Sequence, residues 1–162
     1  MHYPSIQTNV ATTLLRRAAT NPDRTAVIFE DQQITYNELA DRVRKQANLF
    51  KEHGICMGDR VGFLGFNQPA FLETMYAANA IGAIFVPLNF RLTAQELIFI
   101  INDAGIHSLV VDDASLSVVD PVREQFCCHH FYSAESTFDG WHSLVNELIA
   151  LNIPRDLARF RR

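Results

Sequence analysis

The sequence predicts an α/β domain with a mostly parallel sheet that is covered by helices on both faces. Short apolar runs of strand length alternate with amphipathic segments of ten or more residues, and the connections between them are short. That alternation is typical of βαβ units, which bury a parallel sheet between helices. The 162 residues are 48% hydrophobic and 20% charged, which are globular values and exclude a disordered or collagen-like chain.

The first elements predicted are a helix and a pair of short strands. Apolar residues at Leu14 and Ala18 have helical spacing, and the Asn21-Pro22 turn closes that helix. Residues 26–30 and 33–35 are short apolar runs separated by a tight polar turn. We therefore expect them to form two adjacent strands.

Two capping boxes mark the start of further helices. One box pairs Thr35 with Glu38, and the other pairs Thr93 with Glu96. In a capping box, the threonine hydroxyl and the glutamate carboxylate each accept a hydrogen bond from a backbone amide that has no partner inside the helix. Helically spaced apolar residues follow both boxes. We expect the first of these helices to end near Gly54, because glycine is a frequent C-terminal stop.

The middle of the chain predicts a strand, a buried helix and a second strand. Residues 60–66 form the first apolar run, after which Asn67 can cap a helix with Pro69 in its first turn. Residues 83–86 form the second apolar run. We expect Pro87 to stop that strand, because proline cannot donate to a sheet ladder.

The remaining elements have weaker patterns. Residues 108–111 predict another buried strand, residues 120–125 a short helix and residues 128–132 a strand. Between residues 141 and 151, apolar side chains recur at i, i+3, i+4, i+7 and i+8, which predicts a final helix.

Composition excludes several classes of function. The net charge is −4, and only the last eight residues, 155–162, carry an excess of arginine, so a basic nucleic-acid surface is not expected. No apolar run approaches the length of a membrane span, and the start lacks the pattern of a secretory signal. The three cysteines, Cys56, Cys127 and Cys128, have no disulfide spacing, so we expect reduced thiols in the cytoplasm.

The motifs known to bind phosphates or metals are not matched. Gly58, Gly62 and Gly65 lie close together but lack the dinucleotide spacing, so turns and close packing explain them. The tetrad of residues 127–130, Cys-Cys-His-His, holds four good zinc ligands without the separation that a tetrahedral site needs. On a strand, at most two of these side chains share a face, and no second ligand pair is evident.

Other polar residues also have structural explanations. His53 comes at a helix end, where a cation suits the helix dipole, while His107 and His142 flank other elements. The Asp112-Asp113 pair follows a parallel strand, where α/β sheets often bind ligands, although adjacent acids there also form ordinary polar loops. Arg91 can contact an anion or pair with a carboxylate. These residues alone predict an α/β domain without a defined activity.

Five segments carry a family signature in their order and spacing. They are N-P-D-R-T-A-V at 21–27, I-T-Y-N-E-L at 34–39, G-I-C-M-G-D-R-V at 54–61, G-A-I-F-V-P-L-N at 82–89 and L-V-V-D at 109–112. Together they resemble the adenylate-forming (AMP-binding) enzymes, and among these the acyl-CoA synthetases and aryl-CoA ligases most. The similarity covers about residues 10–113 in the family's order and spacing.

This resemblance implies the N-terminal subdomain of the adenylate-forming fold and a two-step reaction. In that reaction a carboxylate attacks the α-phosphate of ATP, and a thiol such as that of CoA then displaces AMP, as in fatty acid metabolism. The family uses ATP, Mg²⁺ and CoA. It needs a Ser/Thr/Gly-rich phosphate loop ending in lysine, an aromatic-Gly-x-Thr-Glu segment, an aspartate for the ribose and a C-terminal domain with a catalytic lysine. None of these is present, and the only lysines are Lys45 and Lys51 on the first long helix.

We therefore expect residues 1–151 to be a truncated N-terminal subdomain of a ligase and residues 152–162 to be an irregular Arg-rich tail. No catalytic, cofactor-binding or metal-binding residue is assigned, and the chain alone is expected to use none of the family's cofactors. One alternative is a non-catalytic module that keeps nucleotide or CoA affinity. Another is an interaction partner that docks on the remainder of a synthetase, or on itself, through an exposed apolar face.

Overall fold

A computed structural model of the chain describes residues 9–150. Strands and helices alternate along almost the whole of this range, as the sequence pattern predicts. The helices are α1 Val10–Thr20, α2 Tyr36–Glu52, α3 Pro69–Ala80, α4 Ala94–Asp103, α5 Asp113–Val119 and α6 Leu144–Ala150, with a 3-10 helix at Asp120–Gln125. The strands are β1 Thr25–Phe29, β2 Gln32–Thr35, β3 Arg60–Leu64, β4 Ile84–Leu88, β5 Ser108–Val111, β6 His130–Ser133 and β7 His142–Ser143.

Five of the strands form one parallel sheet in the order β4-β3-β5-β6-β7. The strands β1 and β2 form a separate antiparallel hairpin. The connection after β3 leads to β4 on one side, and the connection after β4 crosses back to β5 on the other side. All five carboxyl ends of the sheet strands therefore lie at one edge, the carboxyl edge, and all amino ends lie at the opposite amino edge.

Alternate residues of each strand enter two separate hydrophobic cores, one on each face of the sheet. Val61, Phe63 and Tyr132 belong to the core that α1, α2, α3 and α6 cover. Leu64 and Leu109 belong to the other core, which α4 and α5 cover. Because the side chains of a strand alternate between faces, this division confirms that helices cover both sides of the sheet.

Both capping boxes form as predicted. The Thr35 hydroxyl accepts from the Glu38 amide at 3.2 Å, and the Glu38 carboxylate accepts from the Thr35 amide at 2.8 Å. The corresponding distances between Thr93 and Glu96 are 3.4 and 2.8 Å. The predicted stop of α2 is also confirmed, since the helix ends at Glu52 and Gly54 follows in the left-handed region at φ 80°.

Two expectations for the middle of the chain were wrong. Asn67 does not cap α3, because the N-cap residue is Gln68 and Pro69 occupies the first helical position. Pro87 does not stop β4 but lies within it, opposite Phe63 of β3. β4 is an outer strand of the sheet, so a missing amide donor on its outward side breaks no ladder.

The later elements are shifted from their predicted bounds. Trp141 does not belong to the last helix, because β7 intervenes and α6 begins only at Leu144. The indole N–H of Trp141 instead donates to the Asp120 carboxylate at 2.9 Å. The segment predicted as a helix at 120–125 is a 3-10 helix, and α5 before it was not predicted. The predicted Arg-rich tail lies outside the described residues.

Candidate functional site

The carboxyl edge of the sheet is where α/β proteins usually bind ligands, and Asp112 occupies it at the end of β5. Asp112 is only 2% exposed. One carboxylate oxygen accepts from the Phe66 amide at 2.8 Å, and the other accepts from the Ser115 amide at 2.9 Å. Asp112 therefore joins the end of β3 to the start of α5, and both of its oxygens are used by backbone donors.

Gly65 allows this arrangement, because its backbone passes directly beside the Asp112 side chain. A Cβ atom at residue 65 would lie 2.6 Å from both Cγ and Oδ2 of Asp112. Asp113, the second acid of the pair, accepts from the Ser136 amide at 3.2 Å. The two adjacent acids thus stabilise loops at the carboxyl edge and do not converge on one point.

Exposed aromatic side chains lie beside these acids. Phe66 follows β3, Phe90 follows β4, and their ring centroids are 4.2 Å apart. Phe66 is 51% exposed and Phe90 38% exposed. The Arg91 guanidinium lies 5.3 Å from the Phe90 ring centroid, so this arginine stacks on an aromatic face. The edge presents an apolar surface with one cation, which we call the aromatic edge (Phe66, Phe90 and Arg91).

The amino edge holds a cluster of histidines. His53 is the C-cap of α2, and His107 comes just before β5. His129 immediately precedes β6, His130 begins β6, and His142 begins β7. Parallel pairing brings these strand starts together, so the five imidazoles form one continuous group with successive ring centroids 4.6–5.6 Å apart. Taken one by one along the sequence, these residues gave no sign of such a cluster.

Three members of the cluster converge more closely than the rest. His53 stacks on His130 at 5.4 Å between ring centroids and lies 4.6 Å from His142. One ring nitrogen from each of the three lies within 4.8 Å of the others. His130 belongs to the Cys-Cys-His-His tetrad, but its neighbours in space come from distant segments. The sequence alone showed no second ligand pair for the tetrad, whereas the fold places His53 and His142 beside His130.

Two further side chains hold the converging imidazoles. The Tyr132 hydroxyl lies 2.7 Å from His53 Nδ1, and the Glu147 carboxylate lies 2.8 Å from His142 Nδ1. The second Glu147 oxygen lies 3.6 Å from His53 Nε2. One carboxylate from α6 therefore faces two of the three imidazoles.

Burial is the main influence on ionisation in this cluster. It lowers the pKa of His53, partly offset by the Glu147 charge, and it lowers the pKa of His130, with the neighbouring imidazoles acting in the same direction. Burial also raises the pKa of the Tyr132 hydroxyl, followed by the effect of Glu147. Both shifts favour the uncharged imidazole.

The cysteines of the tetrad do not join this group. Burial raises the pKa of the Cys128 thiol to about 12, with the adjacent Cys127 adding to the shift, so Cys128 is a protonated thiol at neutral pH. Cys127 is anchored through its backbone, because its amide donates to Asn102 Oδ1 at 2.7 Å. The tetrad therefore does not act as one unit: Cys128 is a half-buried thiol, Cys127 is anchored through its backbone, and the two histidines belong to the histidine cluster.

The remaining candidates have structural roles. Gly58 adopts φ 91° in the turn before β3, and Gly62 packs inside the core beneath Ile106. Lys45 pairs with Asp41 at 3.2 Å on the surface of α2. Among residues 9–150, no helix has the length and apolar character needed to cross a bilayer.

The chain is similar to known proteins in both sequence and fold. Residues 14–146 match the family model described as AMP-binding enzyme. Feruloyl-CoA synthase from an Amycolatopsis species is 46% identical over 96 residues, which are 59% of this chain and 20% of that protein. The long-chain-fatty-acid–CoA ligase FadD13 of Mycobacterium tuberculosis is 33% identical over 119 residues, which are 72% of this chain and 24% of that protein.

The fold has close counterparts among solved structures. The anthranilate CoA ligase AuaEII, solved with anthranoyl-AMP, superposes with a TM-score of 0.83 over 88% of this chain and 28% of that one, at 21% identity. At that identity the similarity concerns the fold alone. The chain spans only about a fifth to a quarter of the length of the curated relatives named above.

Proposed function

The chain belongs to the AMP-binding enzyme family, the adenylate-forming acid–CoA ligases, and from that membership we propose that it is the N-terminal α/β part of an ATP-dependent acyl- or aryl-CoA ligase. The complete enzyme would join a carboxylate to the α-phosphate of ATP with loss of pyrophosphate. A thiol, that of CoA, would then attack the acyl carbon and release AMP. The observation that carries the proposal is the family match over residues 14–146.

We propose that this polypeptide alone does not catalyse either step. A triphosphate needs cationic groups or free amide donors, whereas the Asp112 carboxylate at the carboxyl edge is buried and already takes two of the amides there. Both lysines of the chain belong to α2, which covers one face of the sheet, and the one cation of the aromatic edge, Arg91, stacks on the Phe90 ring. The described residues therefore do not fit ATP and Mg²⁺ on their own, and we assign no step to them.

The role proposed for this part is to pack against the remainder of a synthetase through the aromatic edge. Phe66 and Phe90 are large apolar side chains that remain half exposed at the carboxyl edge. The relatives are four to five times longer than the matched segment, so further chain is available to cover this surface. Self-association through the same surface is the competing outcome. The family and the three unpaired cysteines favour the cytoplasm as the location.

A chimera tests the proposal directly. Residues 14–146 of this chain would replace the matching segment of the Amycolatopsis feruloyl-CoA synthase, and acid-dependent ATP–pyrophosphate exchange and CoA thioester formation would be measured. We expect the chimera to be active. A folded chimera without either activity would contradict the proposal.

Matched variants in the chimera examine the aromatic edge. Phe66→Asp should reduce activity or stability of the chimera, because it places a charge in the proposed interface. Phe99→Asp is the control, since Phe99 is 69% exposed in the middle of α4 and is not part of the aromatic edge. The unmodified 162-residue chain should show no exchange with fatty or aryl acids. Heat evolved on titration with ATP, AMP or CoA would instead favour the alternative of a non-catalytic binding module.

A further inference from the structure

Three histidines that are distant in sequence direct ring nitrogens to one place on the amino edge of the sheet. One nitrogen from each of His53, His130 and His142 lies within 4.8 Å of the other two. We infer that these three imidazoles bind a divalent transition-metal ion of the Zn²⁺ type. The site lies at the opposite edge of the sheet from the aromatic edge, so it is independent of the proposed ligase function.

The backbone sets the positions of all three residues. His130 and Tyr132 lie two residues apart on β6 and therefore share a face, and Tyr132 is paired in register with His142 on β7. His130 and His142 are thus diagonal neighbours across two strands. His53 caps the end of α2, which packs on the same face of the sheet. A sheet and a packed helix hold the ligands, and flexible loops are not needed to assemble the site.

The spacing is close to that of a bound ion. Zinc–imidazole bonds of about 2.0–2.1 Å in a tetrahedral site place the ligand nitrogens about 3.4 Å apart. Starting from separations of up to 4.8 Å, side-chain rotation has to close about 1.4 Å. His142 is exposed, and His53 and His130 are half-buried, so rotation is not prevented by the core.

Neighbouring groups orient the imidazoles as they do in known metal sites. A ligating histidine typically holds its second ring nitrogen in a hydrogen bond to a carboxylate or another oxygen. Here Tyr132 holds Nδ1 of His53 at 2.7 Å and Glu147 holds Nδ1 of His142 at 2.8 Å. These contacts leave Nε2 as the second ring nitrogen of each residue, and the second Glu147 oxygen, 3.6 Å from His53 Nε2, adds a negative charge beside it.

The donor set selects the type of metal. Imidazole nitrogens suit Zn²⁺, Cu²⁺ and Ni²⁺, whereas Mg²⁺ and Ca²⁺ prefer oxygen ligands. Three protein ligands leave a fourth tetrahedral position for water. Once bound, the ion would link the end of α2 to β6 and β7 and would stabilise the folded chain, because the unfolded chain does not hold the three imidazoles together.

Titration of the tag-free, reduced 162-residue chain with Co²⁺ at neutral pH tests the inference, since Co²⁺ reports its ligands by its visible spectrum. We expect one Co²⁺ per chain, with d–d bands and without a thiolate-to-metal charge-transfer band. The absence of stoichiometric binding at micromolar Co²⁺ would overturn the inference. A thiolate band would also overturn it, because it would move the site to one of the three cysteines.

Matched substitutions identify the ligands. His53→Gln, His130→Gln and His142→Gln should each abolish stoichiometric binding, and Glu147→Gln should weaken affinity by about 10–100-fold. His107→Gln and His129→Gln remove imidazoles from the same cluster that are not in the ligand set, so both should keep the parent affinity. Equal losses in these controls, or parent-like binding by the first three variants, would show that the assigned ligand set is wrong.

Thermal unfolding supplies a readout that does not depend on Co²⁺ spectra. At Zn²⁺ concentrations 100-fold above Kd, the Tm should rise by about 5–10 °C. His142→Gln should lose this rise while keeping the Tm of the metal-free parent, because the side chain of His142 is exposed. A parent chain whose Tm does not respond to Zn²⁺ would refute the stabilising role of the site.

Discussion

Replacing Gly65 with alanine tests the contact that joins β3 to α5 at the carboxyl edge. The new Cβ atom would lie 2.6 Å from Cγ and Oδ2 of Asp112 and 2.8 Å from its Cβ. Carbon atoms do not approach that closely, so either the carboxylate or the backbone has to move. The magnitude of the destabilisation depends on which of these movements costs less.

Neither movement is free, because Asp112 is held at three atoms. Its two oxygens accept from Phe66 and Ser115, and its amide donates to the Leu64 carbonyl at 3.0 Å. Losing one hydrogen bond to a charged acceptor costs about 1.5–3 kcal/mol, and overpacking a well-packed site costs about 1–3 kcal/mol. Alanine also stabilises by about 0.4–1 kcal/mol through the unfolded chain. We therefore expect a net loss of about 2 kcal/mol in the free energy of unfolding.

Urea denaturation measures this loss, with the fluorescence of the single tryptophan as the probe. Trp141 is 7% exposed and packs against Phe131, so unfolding changes its surroundings. With an m-value of about 2 kcal/mol/M, the midpoint should fall by about 1 M urea. Gly62→Ala is the matched control, because its Cβ would meet only methyl groups of Ile106 and Leu109 at 3.1 Å. Those side chains can yield, so the control should lose less stability than Gly65→Ala.

A double-mutant cycle identifies the clash as the cause. In an Asp112→Gly background the atoms that the new Cβ meets are gone, and glycine is an acceptable N-cap for α5. Gly65→Ala should then cost less than about 0.5 kcal/mol, which gives a coupling energy above 1 kcal/mol. A parent-like midpoint for Gly65→Ala, or equal costs in both backgrounds, would refute the reasoning.

Two further predictions concern the helices. Hydrogen bonds from Thr35 and Thr93 lower the pKa of Glu38 and Glu96 below the ordinary value of 4.5. The ionised carboxylates therefore stabilise the folded chain fully above pH 4.5, and this stabilisation is lost as the pH falls through the lowered pKa values. Urea midpoints measured from neutral to acid pH should therefore fall less in the Glu38→Gln/Glu96→Gln double variant than in the parent, and parallel pH profiles would contradict this. Between α2 and α3, the buried Gln46 amide donates to the Thr74 hydroxyl at 2.8 Å, so Thr74→Val should cost about 1–3 kcal/mol by leaving the amide without this acceptor. Adding Gln46→Leu should recover most of that loss in urea denaturation, and a neutral Thr74→Val would show that the bond contributes nothing.

The helix starts that the sequence predicted well are those whose signals are local. The capping boxes at Thr35 and Thr93 each involve residues within one helical turn, so no knowledge of distant contacts is needed to place them. The parallel sheet was predicted for a similar reason. Apolar runs of strand length between amphipathic helices favour βαβ units wherever they occur.

The errors arose where a distant partner decides the conformation. Pro87 is compatible with a strand only because β4 is an outer strand, and strand order depends on pairing across the whole sheet. Trp141 has helical spacing with Leu144, yet its indole is hydrogen-bonded to Asp120 and its ring packs against Phe131. Those contacts place Trp141 before β7 and outside the last helix.

The histidine cluster was missed because each histidine was considered alone. The signal that could have found it was their position relative to the predicted elements. His53 is at the end of a helix, and His107, His130 and His142 come at or just before strands. In a sheet of parallel strands, strand starts and the ends of connecting helices meet at one edge. The positions of the histidines in the predicted elements, taken together with a parallel sheet, would have predicted that these imidazoles lie close together.

The same topology separates the proposed metal site from the aromatic edge. The C-terminal end of a helix carries partial negative charge, and His53 stands at that end of α2, so a cation is favoured at the amino edge. The N-terminal ends of helices carry partial positive charge and lie at the carboxyl edge, where phosphates bind in α/β proteins. The proposed contact with the remainder of a synthetase uses the aromatic edge, whereas the three imidazoles use the amino edge. An active chimera that binds no Co²⁺, or a Co²⁺-binding chain whose chimera is inactive, would therefore each reject one proposal and leave the other intact.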